Sequence, residues 1–114
     1  MPVLSVSSNA EFDKDKTSNI LSTLSGQVAS MLSKPESYVL IKLEHNPNMM
    51  FGGNTDPLIY AELKSLGLPE EKTGEFSQHL CTQLNELTGV SIDRIYIEFA
   101  SPPRHMFGWN GATF

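Results

Sequence analysis

Apolar positions follow two spacings along the chain. Short β-type runs occur at Val3-Leu4-Ser5-Val6, Tyr38 to Leu43, Leu58 to Leu63 and Ile95 to Phe99. Each is bounded by polar or turn-forming residues and is predicted to be a strand. Between the first two, Ile20, Leu21, Leu24, Val28, Met31 and Leu32 recur at helical intervals, which predicts a helix with one buried face. Asp and Thr residues upstream supply its cap. Pro35 ends it near Lys34, because proline disfavours helical backbone in the residue before it. Phe76, Leu80, Leu84 and Leu87 form a second helical stripe. Pro69 is expected in that helix's first turn, with Glu70 and Glu71 at its positive end and Gly89 as its terminator. The order is strand, helix, strand, read twice.

The two readings are copies of one another. Met50-Phe51-Gly52-Gly53-Asn54 recurs as Met106-Phe107-Gly108-Trp109-Asn110, an offset of 56. The same offset aligns Val39-Leu40-Ile41 with Ile95-Tyr96-Ile97, Leu43 with Phe99, Pro47 with Pro103, Gln27 with Gln83, and Leu24 with Leu80. One repeat of nearly half the chain implies a duplicated domain over 1–114, with halves of roughly 1–56 and 57–114. A solenoid would need more copies. The expected class is α+β, with a four-stranded sheet and two helices on one face. Val39-Leu40-Ile41 and Ile95-Tyr96-Ile97 are nearly unbroken apolar runs, which argues for a sheet covered on both faces. Two helices cover only one, so further copies of the chain are expected to cover the other.

Composition narrows the function classes more than the fold. The 114 residues are 39% hydrophobic and 18% charged, an ordinary globular balance. Thirteen acidic residues against 8 Lys plus Arg leave a net charge of −5, so the footprint of a nucleic-acid binder is missing. Cys81 is the only cysteine, which excludes intrachain disulfides and Cys-based zinc sites. It lies on the second helix's apolar side and reads as a buried thiol. His45, His79 and His105 fall in separate elements without ligand spacing, so no metal site is expected. No apolar run approaches the roughly 20 residues a membrane span needs. The opening MPVLSVSSNAEFDKDK has neither a basic start nor a long apolar stretch, so no signal peptide is expected and a cytoplasmic location is.

Pro2 is the residue with unusual chemistry. If Met1 is removed, as a small second residue permits, Pro2 becomes a secondary amine at the head of the chain. An ordinary α-amino group titrates near 7.7–8.0. Burial or a nearby ammonium lowers that value and leaves a neutral base at physiological pH. Proline beginning a strand for purely structural reasons is the commoner arrangement.

A set of segments in fixed order changes that balance. MPVLSV, Ser33-Lys34-Pro35-Glu36-Ser37-Tyr38-Val39, Phe51-Gly52-Gly53-Asn54-Thr55-Asp56-Pro57, Ser65-Leu66-Gly67, Asp93-Arg94-Ile95-Tyr96-Ile97 and Gly108-Trp109-Asn110 run the length of the chain. Together they resemble the macrophage migration inhibitory factor family of the tautomerase superfamily. The resemblance implies two βαβ units related by a pseudo-twofold, and a homotrimer with active sites at subunit interfaces. It implies a cofactor-free isomerase, an intramolecular oxidoreductase of the phenylpyruvate tautomerase and dopachrome isomerase type. Its substrates would be small aromatic α-keto acids. By that resemblance Pro2 is the catalytic base. Lys34 binds the substrate carboxylate, Leu66 offers a backbone contact, and Tyr96 reaches in from a neighbouring subunit. Tyr38, Phe107 and Trp109 are expected to form aromatic walls, so that one cation and flat walls suit an anionic aromatic ligand.

Three departures from the family pattern bear on that expectation. Glu98 stands where mammalian members have asparagine, and an unpaired carboxylate there would repel an anionic substrate. Phe107 replaces a smaller aliphatic residue and narrows the pocket. Pro57-Leu58-Ile59-Tyr60 occupies the place of a vertebrate Cys-x-x-Cys pair, so thiol–disulfide chemistry has no basis here. Two other readings stay open: a secreted, receptor-binding cytokine or host-signalling mimic with a vestigial pocket, exported by a non-classical route, and related chemistry on a non-aromatic keto acid.

Overall fold

In the first strand, β1 (Val3–Ser8), fully buried and half-buried side chains alternate along its whole length, the two-residue period of a pleated strand. The computed structural model describes residues 1–114. After β1 the chain forms α1 (Lys14–Leu32) and β2 (Leu40–His45), then β3 (Ile59–Lys64), α2 (Thr73–Thr88) and β4 (Ile95–Ala100). A two-stranded ribbon, β5 (Gly108–Trp109) and β6 (Ala112–Thr113), closes it. The main sheet has the order β2-β1-β3-β4. β1 runs parallel to β2 and antiparallel to β3, and β3 runs parallel to β4. The fold is therefore α+β, built from two β-α-β units joined through their first strands.

The duplication is legible in the element boundaries. β1 begins at Val3 and β3 at Ile59, 56 positions later. α1 ends at Leu32 and α2 at Thr88, with the same displacement. Both helices end on a left-handed residue, Ser33 at φ 53° and Gly89 at φ 78°. Glycine adopts that conformation without a Cβ clash, whereas serine does not. Ser33→Gly is therefore expected to stabilise the fold by about 1 kcal/mol. Chemical denaturation should read this as a higher midpoint with an unchanged slope.

One core joins the two halves. Leu4 and Val6 from β1, with Ile59, Ala61 and Leu63 from β3, meet Ile20, Leu24 and Val28 of α1 and Phe76, Leu80 and Leu84 of α2. Ser8 is buried among them without penalty, since its hydroxyl donates to Leu58 O at 2.7 Å and accepts from the Ala10 amide at 3.1 Å. Asp13 caps α1 by accepting from the Lys16 amide at 2.7 Å. The Arg94 guanidinium clamps the long β2–β3 connection through the carbonyls of Phe51, Asn54, Asp56 and Pro57. No helix is long and apolar enough to cross a membrane.

The structure corrects three expectations. The second strand does not begin at Tyr38, because Glu36–Tyr38 forms a single 3₁₀ turn after Pro35 and β2 starts at Leu40. Pro69 is not in the first turn of α2. It precedes a separate 3₁₀ turn, Glu70–Lys72, and α2 begins at Thr73. The sheet is not apolar on both sides. Strand alternation places Ser5, Ser7, Lys42, Glu44, Tyr60, Glu62, Lys64 and Glu98 on the face away from the helices. The large apolar side chains there are Val3, Leu40 and Tyr96, the last two 53% and 64% exposed. Apolar burial alone asks for much less cover on that face than the unbroken runs implied.

Candidate active site

Three structural features converge at the head of β1. Parallel pairing brings the start of β2 alongside, so the Leu40 amide donates to Pro2 O at 3.0 Å and Pro2 is fully buried. The end of α1 delivers Lys34, whose amide donates back to Ala29 O at 2.9 Å. β3 leads directly into buried Ser65 and Leu66, held by a bond from the Ser65 amide to Ala100 O at 3.1 Å.

The chain's end folds back over this region. Asn110 and Gly111 have φ of 52° and 79°, as a two-residue hairpin turn of the Asn-Gly kind requires. The turn pairs Gly108 with Thr113 and Trp109 with Ala112. It also gathers the aromatic side chains. Tyr38 meets Trp109 edge-on at 5.7 Å, and Trp109 stacks on Phe114 at 6.1 Å. Phe107 meets the same Phe114 ring at 6.1 Å.

Two hollows lie side by side here, and Met1 and Tyr38 line both. The cationic one, of about 430 Å³, is bounded by Lys34, Leu66, Gly67, Arg104 and Phe114. The aromatic one, of about 350 Å³, is bounded by Val3, Leu40, Phe107 and Trp109. Pro2 lines neither; it lies buried immediately behind Met1. The free amine of the described chain is therefore that of Met1. Burial first, then the charges of Lys34 and Arg104, hold its pKa below the ordinary value, since each disfavours the ammonium form.

Of the residues singled out in the sequence, Lys34, Leu66, Tyr38, Phe107 and Trp109 therefore share one region with the head of the chain. Tyr96 and Glu98 do not. Both are on β4, two strands from β1. By register and strand spacing Tyr96 is roughly 19 Å from Pro2, and Glu98 roughly 14 Å. Tyr96 packs on Phe51 with ring centres 4.6 Å apart. Glu98 is not an unpaired carboxylate, for the Tyr60 hydroxyl donates to it at 2.6 Å and lies 2.9 Å from Glu62. Those two acceptors, Glu98 foremost, hold the Tyr60 proton well above the usual phenol range.

The expectation of one cation is also corrected. Arg104 lines the cationic hollow together with Lys34, and Phe114 forms part of its wall; the sequence pattern singled out neither. A signal for Phe114 was present in Asn110-Gly111 between Trp109 and Ala112, which predicts a hairpin returning the last residues. Arg104 carried no comparable signal. Cys81 is only half-buried, against the core, and burial pushes its thiol pKa up.

Fold and site together define a duplicated β-α-β protein with a cationic, aromatic-walled hollow at the head of its first strand. The family profile described as macrophage migration inhibitory factor matches residues 1–114. A macrophage migration inhibitory factor homolog from Trichinella spiralis is 34% identical over 115 residues, spanning 100% of both chains. The macrophage migration inhibitory factor of Xenopus tropicalis is 32% identical over 117 residues, covering 100% of this chain and 99% of its own. The crystal structure of the homologue from Prochlorococcus marinus superposes with a TM-score of 0.91 at 38% identity, covering 98% of each chain. The chain belongs to the macrophage migration inhibitory factor family.

Proposed function

We propose that this protein is a keto–enol tautomerase of aromatic α-keto acids such as phenylpyruvate, with dopachrome derivatives as further candidates, and that Pro2 is its base once Met1 is removed. The observation that carries this reading is the state of the amine at the head of the chain. It is partly desolvated, flanked by Lys34 and Arg104, and already lowered in pKa with methionine in place. Met1 lines both hollows, so its loss would open space beside them and make the Pro2 nitrogen the amine at the head of the chain.

The chemistry is then a single proton relay. Lys34 pairs with the substrate carboxylate and fixes the ligand against the Tyr38, Phe107 and Trp109 rings. The Pro2 nitrogen takes the proton from the carbon next to the carbonyl as the C–H bond breaks. It returns that proton to the enolate oxygen, forming O–H, and is restored. A hydrogen-bond donor stabilises the enolate charge meanwhile, and Lys34, water or Tyr96 can supply it. Tyr96 lies too far away within its own chain, so its part requires a neighbouring copy. The proposal therefore includes a homotrimer with the site between subunits, which light scattering should detect.

The assay is phenylpyruvate tautomerisation followed by ultraviolet absorbance. Lys34→Ala is expected to raise KM by about 10- to 100-fold, the worth of one charge-assisted hydrogen bond. The same change removes a charge that lowers the amine pKa. The amine then keeps its proton to higher pH, and the rising limb of the kcat/KM profile should move upward. A KM unchanged by the substitution would remove Lys34 from carboxylate binding.

A further inference from the structure

We infer that Phe51, held by Arg94, is a positioning residue that fixes the Tyr96 ring in the direction from which Tyr96 enters the hollow of a neighbouring copy. This deepens the tautomerase reading and rests on it for the place of the reaction. Tyr96 is 64% exposed on β4, an edge strand, so its own sheet packs little against it. Its ring instead meets Phe51, with centres 4.6 Å apart and planes tilted by 56°. Phe51 arrives from the β2–β3 connection, outside the four-stranded sheet. An exposed tyrosine left alone samples several rotamers, and a ligand that needs one of them must immobilise the ring on binding.

The connection restrains that ring closely. The Phe51 amide donates to Asn54 O at 2.9 Å, and the Asn54 amide donates to Phe51 O at 3.2 Å. Gly52 and Gly53 between them have φ of 63° and 80°, the two left-handed positions of a tight hairpin turn. The four bonds from Arg94 to this loop measure between 3.0 and 3.3 Å, and its guanidinium lies 5.1 Å from the Phe51 ring centre. No carboxylate competes for it, since the chain's ion pairs are Lys42–Glu44 and Lys64–Glu62. Arg94 closes the turn that leads into β4 and Tyr96 is the second residue of that strand, so one short segment supplies both the clamp and the ring it helps to place. The internal repeat gives the pair a counterpart. The offset of 56 matches Phe51 with Phe107 and Leu40 with Tyr96, and Phe107 and Leu40 both line the aromatic hollow. The same two positions form a wall in one half of the molecule and, in the other, a pair that lines neither hollow of its own chain.

A double-mutant cycle on the full chain tests this. Phe51→Leu is expected to lower kcat/KM for phenylpyruvate by about 3- to 10-fold, the worth of one immobilised side chain. In a Tyr96→Ala background the same change should cost less than about 2-fold, because the ring to be placed is gone. A merely structural role gives equal losses in the two backgrounds. Phe51→Tyr keeps an aromatic ring and should keep most of the activity. Arg94→Lys keeps the charge but loosens the loop, and should repeat the pattern of Phe51→Leu. The cycle is read in parallel as binding of 3-phenylpropionate, which has no ketone, through the fluorescence of Trp109, the chain's one tryptophan and part of the aromatic wall. Light scattering on each variant separates positioning from assembly. Equal losses with and without Tyr96, an unimpaired Phe51→Leu, a silent Tyr96→Ala, or a loss that tracks dissociation of the oligomer would each overturn the inference. Failure of the tautomerase reading shows elsewhere, as full activity with the Pro2 nitrogen blocked, and coupling measured on 3-phenylpropionate would survive it. A protein that neither turns over nor binds these acids would overturn both.

Discussion

Blocking the Pro2 nitrogen is expected to lower kcat/KM for phenylpyruvate by about 10²- to 10⁴-fold, the usual share of a positioned general base. An alanine inserted between Met1 and Pro2 achieves this, as does any preparation that retains Met1. In both, the nitrogen becomes a tertiary amide whose lone pair is committed to resonance and cannot accept a proton. Burial of Pro2 and the hydrogen bond from Leu40 to its carbonyl fix where the nitrogen lies, so no side chain can take its place by a small shift. Pro2→Gly should fall between the wild type and the blocked forms, because a primary amine keeps a lone pair but loses the ring that holds it. Intact mass gives the fraction of chains without Met1, and activity should scale with that fraction. Full activity in a preparation that retains Met1 throughout would end the proposal.

The repeat made most of the fold legible, because an offset shared by many residues survives poor matching at each one. It carries over to features no single position announces. The equivalence of Ser33 and Gly89 as left-handed helix ends is one, and the paired 3₁₀ turns at Glu36–Tyr38 and Ile92–Arg94 are another. The reading of Tyr38 as strand failed because a three-residue turn has no periodicity to show, and Tyr38-Val39-Leu40 is β-rich in composition. The apolar runs misled for a related reason. Val39 lies outside β2, and the remaining residues alternate inward and outward as a one-sided sheet requires.

The site was legible where it borders the regular elements and illegible where it depends on a loop. Lys34 follows the end of α1 and Leu66 the end of β3, so their places follow from the elements. Arg104 is brought beside Lys34 by a connection of prolines and a turn, whose direction no local pattern encodes. Tyr96 and Glu98 are a different case. Their registers were readable, but they oppose the site from β4, and only assembly could bring them to it.

The second large effect concerns the sheet beneath the site. Leu63→Ala is expected to destabilise the fold by about 2–5 kcal/mol, the range for removing a fully buried leucine whose surroundings cannot collapse into the space. Leu63 has no exposed surface and sits on β3, one of the two inner strands, between Leu4 of β1 and Phe99 of β4. Its side chain belongs to the core under both helices, so neighbours on every side are held by hydrogen-bonded backbone. Against a typical total of about 5–15 kcal/mol the loss is large, and thermal unfolding should drop by on the order of 10–20 °C. Leu63→Ile keeps the volume and suits a strand, so it should cost less than about 1.5 kcal/mol. The contrast separates cavity formation from mere change of side chain, and comparable losses for both variants would show that shape rather than volume governs this position. Two residues further along lies Ser65, and then Leu66 in the wall of the hollow. Any activity lost in Leu63→Ala at temperatures where the protein remains folded therefore measures how firmly the core holds that wall.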